Sequence, residues 1–113
     1  MELDKDLAAR QEARALARQA EKAQHLLADF PQEKLDAIVE AIAKAFSAEA
    51  KPLAELAVQE TGFGNVTDKI TKNKFASETV AKAIRGMKTV GLLRKKAEER
   101  VWEIGVPVEV GFV

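Results

Sequence analysis

Apolar side chains recur along this chain with two different periods, and the change of period divides it. Ala9, Ala13, Leu16, Ala20, Ala23 and Leu27 lie four and three apart. That spacing draws one stripe along an α-helix, and the residues between them are mostly strong helix formers. A first helix is expected over about residues 3–29. Its stripe is small-sided and suits close approach of another backbone, while Arg10, Arg14, Arg18, Glu21 and Lys22 form a solvated face. Phe30-Pro31 breaks it, and proline suits the first position of a new helix. Leu35, Ile38, Val39, Ile42 and Phe46 then fall at i, i+3, i+4, i+7 and i+11, which is the clearest amphipathic pattern in the chain. It predicts a second helix over about 31–46. Ser47 is placed to cap a third. Pro52 biases Lys51 away from the helical region, so the third helix is expected over about 52–61, burying Leu53, Leu56 and Ala57. Gly62 is placed to end it as a left-handed cap.

The stretch Glu60 to Ser77, ETGFGNVTDKITKNKFAS, then joins two helices. Gly62 and Gly64 flank Phe63, so the chain can turn sharply with Phe63 pressed inward. Asn65 is a good N-cap, and the Asp68 carboxylate favours the helix start three residues on. Val66 and Ile70 should face inward, followed by an apolar stripe through Phe75, Val80, Ile84 and Met87. The fourth helix is expected over about 66–85, with Arg85-Gly86 as the stop. Beyond it the period falls to two: Trp102, Ile104, Val106, Val108, Val110 and Phe112 alternate with Glu103, Gly105, Pro107, Glu109 and Gly111. That is strand patterning over about 100–112, with Pro107 making the middle an edge or a bend. The fold class expected is mainly α, about four helices followed by a short strand or hairpin. A lone strand is marginal in water. With the apolar face still running at the last residues, part of a sheet is expected to lie elsewhere.

Composition then narrows the chemistry. The 113 residues fit one domain. Eighteen basic and 18 acidic side chains cancel to zero net charge, which argues against a dedicated nucleic-acid binder. No cysteine is present, so disulfides, thiolate metal sites and a cysteine nucleophile are excluded within these residues. No apolar run approaches a membrane span. The first residues carry no signal-like apolar region, and a cytoplasmic protein is expected. The single histidine, His25, has no neighbours at metal-ligand spacing. Gly62-Phe63-Gly64 before a helix start could attract phosphate, but it follows a helix and lacks the GxxxxGKS/T or GxGxxG spacing. Lys69, Lys72, Lys74 and Arg85 could form a basic face, although lysines on a helix surface usually only solvate it. No catalytic, cofactor-binding or metal-binding residue is therefore assigned.

The segment from about Leu56 to Leu92 resembles the CoA-acylating aldehyde dehydrogenases. These carry a similar phrase: ETG closing one helix, a G-x-G/N turn, then V-x-DK-x-x-KN-x-FA-S/T-E opening the next. Glu60-Thr61-Gly62, Asp68-Lys69, Lys72-Asn73 and Phe75-Ala76 match it, and Lys88 to Gly91, KTVG, is also similar. The resemblance implies an N-terminal segment of an α/β enzyme that converts an aldehyde, NAD(P)+ and coenzyme A into an acyl-CoA and NAD(P)H through a cysteine nucleophile. It further implies that the nucleotide-binding sheet lies beyond residue 113. The chain departs from the family in having no cysteine, and in Pro107-Val108-Glu109-Val110, where glutamate stands in place of a usual glycine. The matching positions are structural. The 113 residues alone are expected to be inactive and to bind neither NAD(P) nor coenzyme A. A homodimer through the C-terminal strand region is expected, with no nucleic acid or membrane partner. The alternative is a free-standing helical interaction module.

Overall fold

The structure, a computed structural model, describes residues 2–111; the expected strand position Phe112 lies outside them. The elements are α1 (Lys5–Leu27), α2 (Gln32–Ala48), α3 (Ala50–Thr61), α4 (Val66–Lys74), a π-helical segment (Phe75–Val80), α5 (Ala81–Ile84), β1 (Gly91–Lys96) and β2 (Val101–Gly105). The last three helical pieces run on without a break. The architecture is mainly helical with a C-terminal antiparallel hairpin. The chain forms two compact units: Gln32–Lys88, and the residues up to Pro31 together with those from Thr89 onward.

In the helical unit Gln32–Lys88 the buried residues are all small: Ala50, Ala54 and Ala81, at 2%, 0% and 9% exposure. Two of them lie on α3, where the absence of bulk lets α4 come close. Asn73 fixes that approach by donating its side-chain amide to the Ala50 carbonyl at 3.0 Å. The expectation that Leu53, Leu56 and Ala57 fill this interface is corrected. Leu53 and Leu56 are exposed and Ala57 is half-buried, because the alanine face of α3 admits the closer packing. On α2 only Leu35 and Ile38 of the expected stripe are half-buried; Val39, Ile42 and Phe46 are exposed.

Helix α3 starts at Ala50 rather than at Pro52. Its first-turn N–H groups have no partner within the helix, so proline loses nothing there, and Leu53 closes the first turn by donating to Glu49 at 3.0 Å. Ser47 does not cap α3; it lies within α2 and bonds elsewhere. Gly62 ends α3 in the left-handed region, φ 70°, with its N–H on the Val58 carbonyl. Asn65 caps α4: its side-chain oxygen accepts the Asp68 N–H at 2.8 Å and its amide reaches the Asp68 carboxylate at 2.7 Å. Phe63, expected inside, is 77% exposed. The left-handed conformations of Gly62 and Gly64 on either side of it carry the chain around the joint.

The π-helical segment has a geometric consequence. Val66, Ile70, Asn73, Ser77 and Ala81 are the less exposed positions of the continuous run along one side. Beyond Asn73 they step by fours. In an α-helix, with about 3.6 residues per turn, steps of four drift around the axis; the looser π-turn keeps them nearer one line. Ser77 supports the loosened turn by donating its hydroxyl to the Asn73 carbonyl at 2.8 Å. Ala81 is thereby turned inward, while the expected inward residues Phe75, Val80 and Ile84 remain exposed.

In the other unit, α1 has no buried residue, so its alanine stripe does not form a core. The hairpin pairs Gly91 with Gly105, Leu92 with Ile104, Arg94 with Glu103, Lys95 with Trp102 and Lys96 with Val101, with an irregularity between Leu92 and Arg94. Glu103 accepts from Arg94 at 2.9 Å and from Lys96 at 3.2 Å, and Lys95 lies 4.7 Å from the Trp102 ring centre. Such cross-strand pairs stabilise a charged strand of modest intrinsic β propensity. The alternating pattern predicts strand as far as residue 112, but β2 stops at Gly105 and residues 106–111 are irregular. Pro107 has no N–H to give to a ladder, and the Val108 carbonyl takes a hydrogen bond from Gln24 of α1 instead, at 3.3 Å.

Two substitutions test this packing. Ala54→Leu forces bulk into the α3–α4 contact and is expected to cost about 1–3 kcal/mol. Asn65→Ala removes the cap and is expected to cost about 1 kcal/mol. Urea unfolding followed by far-UV circular dichroism measures both; an unchanged midpoint in Ala54→Leu would show that this contact does not hold the unit together.

Candidate functional site

The structure scatters the candidate residues singled out in the sequence. His25 lies in the last turn of α1 and lines a groove with Ala17, Glu21, Gln24, Glu109 and Val110. Among the described residues no group of three His, Cys, Asp or Glu side chains could hold a metal ion. The glycine joint is satisfied by its own side chains. The Thr61 hydroxyl donates to the Ala57 carbonyl at 2.7 Å and accepts the Phe63 N–H at 3.2 Å. The positive start of α4 already faces the Asp68 carboxylate, which leaves little attraction for a phosphate. The Lys69 side chain folds back over Gly64, where an added Cβ would lie 3.1 Å from its Cε. Arg85 is paired with Glu40 at 2.6 Å. With Lys69 turned to the joint and Arg85 engaged, the four basic residues do not make one free basic face.

The structure assembles a different polar cluster, along the groove between α2 and the π-helical segment with α5. Glu40, Lys44, Ser47, Glu78, Lys82 and Arg85 line it. Two bonds cross it: Arg85 to Glu40, and the Ser47 hydroxyl donating to Glu78 at 2.5 Å. Their partners are 45 and 31 residues apart in sequence, so no local pattern announces them. The one local cue is Ser47, a small hydroxyl late in an amphipathic helix, and its sequence position suits a cap equally well. The groove brings a hydroxyl beside a carboxylate but holds no imidazole or thiol to activate it. Its evident chemistry is to tie α2 to the helical run that follows the joint.

The hydrogen bond from Arg85 holds the Glu40 carboxyl below its usual range. Glu103 of the hairpin is lowered in the same way, first by Lys96 and then by Arg94. A depressed carboxyl contributes stability above its unfolded value, about 4.3 for glutamate, and loses it as pH falls through the lower folded value. These pairs are exposed, so the effect is small. The urea midpoint is expected to drop as pH falls below about 4, and the double variant Glu40→Gln with Glu103→Gln should lose part of that dependence. Identical pH profiles for the two proteins would show that neither pair contributes.

No protein-family model matches the chain. Individual relatives do. It is 45% identical over 82 residues to a bifunctional aldehyde-alcohol dehydrogenase of Escherichia coli, covering 73% of this chain and 9% of the relative. It is 40% identical over 93 residues to an acylating sulfoacetaldehyde dehydrogenase of Bilophila wadsworthia, covering 80% of this chain and 20% of the relative. Among solved structures, an acetylating aldehyde dehydrogenase from Geobacillus thermoglucosidasius matches with a TM-score of 0.77 and 48% identity, covering 89% of this chain and 22% of that one. The chain thus spans between about a tenth and about a fifth of the length of the proteins it matches. By sequence and by fold together, the chain is homologous to a region of the acylating aldehyde dehydrogenases.

Proposed function

We propose that this chain serves as the N-terminal structural segment of an NAD(P)-dependent, CoA-acylating aldehyde dehydrogenase of the cytoplasm. The observation that carries this reading is the 48% identity and shared fold with an acetylating aldehyde dehydrogenase over 89% of the chain. The whole enzyme would convert an aldehyde, coenzyme A and NAD(P)+ into an acyl-CoA and NAD(P)H. The residues of this chain would not perform that step. The reaction needs a thiolate to attack the aldehyde, and the 113 residues include no cysteine. Their part is to present a helical unit braced by Ala50, Ala54, Asn73 and Ala81, and a hairpin clamped by Glu103.

A second reading is a free-standing helical interaction module. The observation favouring it is α1, a helix of 23 residues with none buried. Either reading accommodates self-association through the C-terminal strand region, where Trp102, Ile104, Val106 and Val108 are between 62% and 84% exposed. A symmetric dimer would cover such a face.

Three measurements follow. The purified chain, given acetaldehyde, coenzyme A and NAD+, should produce no NADH; turnover above a blank would overturn the structural role. The intact mass of the protein in its source cell, read beside the DNA past codon 113, separates the two readings. A continuing frame with a cysteine-bearing dehydrogenase body supports the first, and a true stop followed by unrelated sequence supports the second. Sedimentation equilibrium should show a dimer that Ile104→Lys dissociates, whereas a monomer at high concentration would exclude self-association.

A further inference from the structure

We draw no further inference here: the strongest candidate, the apolar notch lined by Ala45, Phe46 and Leu53 between α2 and α3 of the helical unit, is an unpartnered face, and nothing in the structure shows what covers it.

Discussion

The close approach of α3 and α4 is the contact on which the helical unit depends. It exists because Ala50 and Ala54 place no bulk between the two backbones, and because Asn73 gives its amide to the Ala50 carbonyl. A bond to a part-buried carbonyl does more than add a modest attraction. It fixes the rotation of α4 about its axis, since the amide reaches only one carbonyl in one orientation. From that fixed point the run continues through the π-helical segment, which carries Ser77 and Ala81 inward and leaves Glu78 and Arg85 facing α2. The polar groove is therefore a consequence of the alanine contact further back along the chain.

Burial of large side chains contributes little to this arrangement. The buried residues among those described are alanines, while Leu56, Phe46 and Trp102 keep more than half of their surface. Hydrophobic stabilisation scales with the apolar area withdrawn from water, so an interior of alanines supplies less of it than one of leucines. Helix propensity, the Asn65–Asp68 cap and the Asn73–Ala50 hydrogen bond carry a correspondingly larger share. Under the proposed role, the exposed apolar faces are surfaces that a longer enzyme would cover.

The resemblance carried by ETGFGNVTDKITKNKFAS gains a physical meaning from the structure. Its glycine and asparagine close one helix and cap the next. Asp68 answers the cap, Lys69 lies over Gly64, and Asn73 makes the bond that sets the helix pair. The phrase is a structural joint, and each of those matching residues holds backbone or neighbouring helix.

The sequence alone determined what depends on neighbours along the chain. The four helical runs, the break at Phe30-Pro31, the left-handed stop at Gly62 and the Asn65 cap all rest on local backbone preference and on hydrogen bonds spanning a few residues. The family resemblance was legible for the same reason, since its motif is one continuous phrase. Tertiary structure decided which apolar residues lie inside, because small alanines took the places that size and hydrophobicity had suggested for Leu53, Leu56 and Phe63. It also decided the π-helical winding and the pairs Ser47–Glu78 and Glu40–Arg85, which join residues far apart in the chain. The strand β1 was hidden for a related reason. Its Arg94, Lys95 and Lys96 suit a strand only opposite Glu103 and Trp102, and a partner across a hairpin is absent from any one-strand pattern. Periodicity reports which residues share a face, but the packing partner determines whether that face is buried.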